Sequence, residues 1–192
     1  MLNHKGTKTI ETDRLILRQF TMEDAPAMFR NWASDDEVTK HLPWPTHTNE
    51  EITRTVLSDW TGHYGEADFY NWAIVLKENG PEPIGNISVV RINPKTDCAT
   101  IGYCMSCAHW RKGIMPEALK AVVDFLFDEV GFNRIEAKHD VNNPASGRVM
   151  EKAGLRYEGT LRQSGQSNQG IIDVVWRAIL REDWRKEHEQ AH

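Results

Sequence analysis

Two clusters in this 192-residue sequence pair residue types and spacings that could do chemistry. The first is Trp110-Arg-Lys-Gly-Ile-Met115, between an alternating apolar run and a long amphipathic one. A strand-to-helix junction presents free backbone N–H groups and the positive end of a helix dipole, and both favour phosphate oxygens. Gly113 permits close backbone approach, and Arg111 and Lys112 add positive charge. Pro116 suits a first helical turn, where its missing N–H matters least. Glu117 is a poor neighbour for phosphate and is expected to point away. The loop has neither the Gly-x-x-x-x-Gly-Lys-Ser/Thr pattern of a nucleotide P-loop nor the Gly-x-Gly-x-x-Gly of a dinucleotide site. By itself it also reads as an ordinary solvated connection.

The second cluster is Cys104-Met-Ser-Cys107 followed by His109, which invites a metal or redox reading. A reactive Cys pair belongs at a helix N-terminus, whereas these residues fall at a strand end. Zinc needs four ligands, and the sequence has no second Cys pair. Positions 104 and 107 also face opposite ways on a regular strand. The expectation is no metal site.

The elements that must position the loop follow from periodicity. Arg14–Arg18 reads as a strand, followed by a helix capped at Thr21 with Ala25, Met28, Phe29 and Trp32 on one face. Thr48-Asn-Glu-Glu51 reads as a second capping box, before Ile52, Val56, Leu57 and Trp60. Strands are predicted over Phe69–Leu76, Ile84–Ile92 and Cys98–Met105, linked by short turns as an antiparallel meander. From Gly113, Met115, Leu119, Val122, Leu126 and Val130 recur at helical spacing, and Gly131 ends the helix. Arg134–Lys138 is a strand, Ala145–Lys152 a helix with Gly154 as its stop, and Leu155–Leu161 and Ile171–Leu180 the last strands. Gly165 and Gly170 bracket a polar loop between them, and the chain from Glu182 reads as a frayed helix or a disordered tail. The order is α+β, with one strand–helix–strand crossover from Cys98 to Lys138 implying a parallel pair.

Composition bounds the rest. With 40% hydrophobic and 27% charged residues, the chain suits one globular domain over residues 1–192, its core about 10–184 and a tail at 185–192. A formal net charge of -5 argues against a nucleic-acid binder and favours approach of a cationic amine. Three cysteines suit a reducing compartment. No apolar run approaches the roughly 20 residues of a membrane span, so the expected location is cytoplasmic.

The ordered run Ile101-Gly-Tyr103, Trp110 to Leu119, Asn133-Arg-Ile-Glu136, Asn143-Pro-Ala-Ser146 and Val149 to Gly154 resembles the GNAT superfamily. More narrowly it looks like the N-terminal acetyltransferases for ribosomal proteins (RimJ/RimL-like), as does the opening Glu11 to Arg18. The superfamily's phosphate loop is usually written Gln/Arg-x-x-Gly-x-Gly/Ala. Trp110 and Met115 depart from its first and last places, in a way familiar in the ribosomal subgroup.

The resemblance implies a central, mixed, mostly antiparallel sheet flanked by helices and splayed between its fourth and fifth strands, here Thr100–Ser106 and Arg134–Lys138. Acetyl-CoA would lie in the opening, its pantetheine arm on the backbone of Cys104, Met105 and Ser106. An amide near Met105 would hold the thioester oxyanion. The amides of Arg111, Lys112, Gly113, Ile114 and Met115 would hold the pyrophosphate. Asn143 would touch the cofactor through its amide, although Asn-Pro is also a turn starter. Ser146, the implied catalytic residue, would donate a hydrogen bond to the leaving thiolate, alongside a helix-capping or first-turn role.

The implied reaction is direct attack of an amine, either a protein N-terminus or a small molecule, on the thioester. Many relatives carry Glu where this chain has Thr100, and Ser164-Gly-Gln166 supplies no acid either. Asp173, His63 and Tyr64 are base candidates by chemistry, and a water relay serves equally. The expectation is that no single side chain is an essential base. The aromatic group Trp44, Trp60, Tyr64, Tyr70 and Trp72 is read mainly as packing, with one or two rings lining the acceptor pocket. A homodimer is implied by the subgroup alone. The competing reading is a catalytically inactive acyl-CoA-binding sensor or structural protein.

Overall fold

Period-two patterning builds the centre of the molecule. The computed structural model describes residues 2–189. Its strands are β1 (Ile10–Glu11), β2 (Leu15–Arg18), β3 (Asn71–Leu76), β4 (Pro83–Asn93), β5 (Cys98–Met105), β6 (Arg134–Asp140), β7 (Arg156–Ser167) and β8 (Gly170–Leu180). They form one eight-stranded sheet in the order β1-β2-β3-β4-β5-β6-β8-β7. Every neighbouring pair is antiparallel except β5–β6. That parallel pair needs a crossover, which is the helix α4 (Ile114–Phe125), placed between α3 (Glu50–His63) and α5 (Pro144–Lys152) in chain order. The remaining helices are α1 (Ala25–Met28), α2 (Asp36–Thr39) and α6 (Arg181–Glu189).

Each face of the sheet carries its own core. On one, Leu15, Leu17, Trp72, Ile74, Ala99 and Ile101 meet Ala118, Leu119, Val122 and Leu126 of the α4 helix and its continuation. On the other, Ala73 and Cys104 meet Phe20, Met28, Trp32 and Leu57. The alternation along β3 and β5 therefore sends successive side chains into different cores.

Several details depart from the sequence reading. The second capping box does not form, and the cap is shifted by one residue. Asn49, not Thr48, has the extended cap conformation, and its Oδ1 accepts the Ile52 N–H at 3.2 Å. The helix after Thr21 is a short 3-10 turn, then α1, then a π turn over Phe29–Ala33. The extra residue lets adjacent Trp32 and Ala33 both be buried. β1 was not predicted, because two residues carry no period. The polar loop expected between Gly165 and Gly170 is largely strand: β7 runs to Ser167, with a register shift between Leu161 and Gly165. A Cβ on Gly165 would lie 2.5 Å from Val174 Cγ2, so glycine there allows the strands to approach. Of the two readings of the tail, the helical one holds, as α6, and Trp184 docks on the core, its Nε1 donating to Asp124 at 2.6 Å. Residues 190–192 of that tail lie outside the described residues.

Candidate active site

The site begins where the parallel ladder stops. β5 and β6 pair from Cys98↔Arg134 to Ile101↔Ala137, yet β5 continues to Met105 and β6 to Asp140 without further pairing. The sheet thus opens between them. On the other side β5 stays paired with β4, through Asn86↔Cys104 and Gly85↔Met105. Ser106 donates its N–H to Ile84 O at 2.9 Å. Antiparallel backbone groups alternate in direction, so the N–H and C=O of Cys104 and the N–H of Ser106 are spent on β4, and the N–H and C=O of Met105 face the opening. The Met105 carbonyl accepts the Trp110 indole N–H at 2.8 Å. That leaves the Met105 N–H as the donor facing the gap.

Next along the chain comes the basic loop. Arg111 and Gly113 have left-handed backbones, with φ of 62° and 73°, and α4 starts immediately after them. Among the described residues, the N–H groups of Arg111, Lys112, Gly113, Ile114 and Met115 donate to nothing in the chain. Five successive free donors, ending at a helix N-terminus, form an anion cradle. The side chains divide differently from the backbone. Ile114 and Met115 are buried in the core, whereas Arg111 and Lys112 are exposed and make no ion pair among the described residues.

Glu117 does point away. Its Oε1 accepts from Thr12 Oγ1 at 2.6 Å, and its Oε2 accepts from Arg14 Nε at 2.7 Å. Burial pushes this carboxyl up, and the bonds from Thr12 and Arg14 outweigh that, holding it below its ordinary value. Arg14 also donates from Nη1 to the Lys112 carbonyl at 3.0 Å. One guanidinium thus neutralises the acid at the helix start and braces the loop.

The β6 side of the opening is built by α5. Asn143 caps it, its Oδ1 accepting the Ser146 N–H at 3.3 Å. Ser146 lies in the first turn. Tyr103 Oη donates to the Ser146 carbonyl at 3.0 Å and lies 3.0 Å from Ser146 Oγ. This pair spans from β5 to α5. Burial pushes the Tyr103 phenol far above its ordinary value, so it stays protonated. A Cβ on Gly147 would meet His139 Nε2 at 2.6 Å, so glycine lets α5 lie against β6.

A family model for the acetyltransferase (GNAT) domain matches residues 14–156. This chain is a GNAT acetyltransferase. It is 36% identical over 172 residues to the N-acetyltransferase YoaA of Bacillus subtilis, covering 90% of this chain and 96% of that one. It is 31% identical over 135 residues to the ribosomal-protein-serine acetyltransferase of Escherichia coli, covering 69% and 73%. Its fold matches a ribosomal L7/L12 alpha-N-protein acetyltransferase solved with coenzyme A at a TM-score of 0.81. That match has 23% identity and covers 92% and 99% of the two chains.

In this GNAT chain the three base candidates have other duties. Tyr64 Oη accepts from the Phe20 N–H and donates to the Asn71 carbonyl, both at 2.9 Å, and burial pushes its phenol up to about 12. Asp173 accepts the Gln163 N–H at 2.8 Å, where the β7 register shifts. His63 sits at the exposed end of α3, its Nδ1 on the Asp59 carbonyl at 2.7 Å. The two cysteines diverge: buried Cys104 donates to Asn86 Oδ1 and exposed Cys107 to Asp35. No metal-binding cluster of His, Cys, Asp or Glu occurs among the described residues. Tyr70 and Trp72 are fully buried core, Trp60 packs on Phe20 with ring centroids 5.2 Å apart, and Trp44 stays half-buried beside His47.

Besides Arg14–Glu117 and Tyr103–Ser146, sequence reasoning missed a polar pair at the end of β6. His41 Nδ1 lies 2.9 Å from Asp140 Oδ2 at the end of β6. The partners are 99 residues apart, and His41 lies in a Pro-rich stretch with no period, so no local signal joined them.

Arg14→Ala is expected to weaken acetyl-CoA binding about tenfold, because Glu117 then lacks its counter-charge beside the anion cradle of Arg111–Met115, at a cost of ~1.4 kcal/mol. Arg14→Ala/Glu117→Gln should recover most of that loss. Calorimetric titration of the variants checks both, and equal affinity for wild type and Arg14→Ala would refute the bracing role.

Proposed function

We propose that the chain transfers the acetyl group of acetyl-CoA to a protein N-terminal α-amine by direct attack. The observation that carries this reading is the opening between β5 and β6, with one free N–H at Met105 and five at Arg111–Met115. The amides of Arg111, Lys112, Gly113, Ile114 and Met115 hold the pyrophosphate, and the Arg111 and Lys112 side chains supply counter-charge. The Met105 N–H receives the thioester oxygen as it gains negative charge. Cys104 and Ser106 contribute by fixing this strand to β4 rather than by contacting the donor through their backbones. The Asn143 Nδ2 group, which has no partner among the described residues, reaches the donor from the α5 side. The Ser146 hydroxyl, backed by Tyr103, hydrogen-bonds the departing sulfur.

An α-amine is easier to deprotonate than lysine, with reference pKa values of about 7.7–8.0 against about 10.4. The 31% identity to a ribosomal-protein-serine acetyltransferase supports that acceptor. Three free cysteines fit a reducing, cytoplasmic setting, and no helix among the described residues is long and apolar enough to cross a membrane.

The test is thiol release from acetyl-CoA, with a peptide beginning in serine and with spermidine side by side. Turnover on the peptide with at least tenfold higher kcat/KM than on spermidine is expected. The reverse preference would reassign the acceptor to small amines. Acetyl-CoA binding without thiol release would favour the non-catalytic alternative.

A further inference from the structure

We propose that His41, oriented by Asp140, is the general base that deprotonates the acceptor amine; this rests on the acetyl-transfer reading above. Asp140 is the last residue of β6, on the strand that diverges from β5. Its side chain is 1% exposed, against 16% for His41. Oδ1 accepts the Asn142 N–H at 2.8 Å, and Oδ2 lies 2.9 Å from His41 Nδ1. An ionised carboxylate only accepts, so His41 Nδ1 carries the proton and the lone pair sits on Nε2. That Nε2 makes no hydrogen bond among the described residues, yet it is not one of the buried unpartnered atoms. It therefore opens to solvent.

The segment holding His41 is fixed rather than loose. Asn168, in the β7–β8 turn, donates from Nδ2 to the carbonyls of Thr39 and Trp44 at 2.9 and 2.8 Å. Its N–H also donates to Leu42 O at 3.1 Å. His41 is thus clamped between the hairpin turn and the end of β6, and the Asn143 N–H bonds the Asp140 carbonyl at 2.8 Å to begin the turn into α5. A carboxylate, an imidazole with a fixed tautomer and an accessible nitrogen stand at the end of β6, three residues beyond its last pairing with β5 at Ala137. The orientation is that of a base held by an acid. By contrast, the hydrogen bonds of Asp173 and Tyr64 are used within the fold, and His63 is a surface turn of α3.

The proton balance is complete. Of the three protons on the incoming ammonium nitrogen, one goes to His41 Nε2 and on to solvent. The neutral nitrogen forms the C–N bond to the thioester carbon, and the carbonyl oxygen takes the charge at the Met105 N–H. The C–S bond then breaks, a second nitrogen-bound proton ends on the sulfur as free thiol, and the third stays in the amide.

The titratable or charged groups flanking this pair in the chain have partners of their own. His139 is held neutral by burial, with Nδ1 on the Asp140 carbonyl. Lys138 is the next cation along β6, 5.4 Å from the Trp176 ring centroid. On the α2 side, Lys40 is paired with Glu37 at 2.7 Å.

The experiment is the pH dependence of kcat/KM on a serine-initiated peptide, with acetyl-CoA affinity measured separately. His41→Gln should lower kcat/KM by about 10²–10³-fold and abolish the acidic limb, with unchanged acetyl-CoA affinity. Asp140→Asn should lower it by about tenfold or more, because the imidazole loses the carboxylate that fixes its tautomer and orientation. Added imidazole should partly restore His41→Ala, a readout that mere packing would not give. His63→Gln should match wild type. If His41→Gln keeps the wild-type rate and limb in an active enzyme, the base assignment falls alone. If wild type binds acetyl-CoA but releases no thiol with peptide or spermidine, both proposals fall.

Discussion

Gly85→Ala is expected to lower the unfolding free energy by about 3 kcal/mol and turnover by about a hundredfold. A Cβ at this position would lie 2.5 Å from the Cys104 carbonyl oxygen and 2.9 Å from Met105 Cα. Both are backbone atoms, so no side chain can swing aside. β4 and β5 must separate, and that moves the residue whose N–H faces the opening. Urea unfolding and steady-state kinetics read the two effects separately. Gly62→Ala is the matched control, because nothing lies within 4 Å of its Cβ and it sits in α3. It should be neutral or stabilising by about 0.5–1 kcal/mol. A Gly85→Ala protein with wild-type turnover would show that the β4–β5 contact does not set the position of the Met105 amide.

Asp24→Ala is expected to cost about 3 kcal/mol and to lower the melting temperature by roughly 6–12 °C. Its carboxylate takes two parallel bonds from Arg18, both at 2.8 Å, and a third from the Thr21 N–H at 2.8 Å. The Asp24 side chain is 8% exposed and that of Arg18 25%. Removing the acid leaves a largely covered guanidinium without its counter-charge and the first turn before α1 without its cap. Asp24→Asn keeps a cap acceptor and loses the charge, so it should fall between wild type and Asp24→Ala. Calorimetry on the three proteins checks the order, and a loss below about 1 kcal/mol for Asp24→Ala would place this pair among ordinary surface bridges.

The backbone of the site was legible in the sequence because its signals are local. β5 is bounded as its alternation predicts, and α4 begins after Gly113 and its π continuation ends at Gly131, as the helical spacing and the two glycines require. What escaped was non-local or too short to have a period. β1 exists because Ile10 and Glu11 pair with Leu17 and Ile16 across a tight turn. The π turns arise where adjacent residues such as Leu126 and Phe127 must both be buried. β7 as far as Leu161 is a strand as expected, but its second half reads as a polar loop because most of its side chains face solvent, and its ladder with β8 holds it as strand. The same limit governs the site. The amides of Arg111–Met115 follow from one contiguous stretch, whereas Arg14–Glu117, Tyr103–Ser146 and His41–Asp140 join residues far apart in sequence.

The irregular course of β7 bears on how the molecule meets its own copies. This strand is the sheet's outer edge, twelve residues long, and it exposes Tyr157 and Leu161. A straight edge of that length would be a template for strand addition and fibre growth. Here the register slips twice, between Tyr157 and Gly159 and between Leu161 and Gly165, and Gln163 takes a left-handed φ of 49°. Arg156, Glu158 and Arg162 interrupt the apolar positions with charge. A second chain approaching this side finds no run of evenly spaced donors and acceptors to match. The kinks that hide the second half of the strand from a sequence reader also disfavour the addition of a second chain along it.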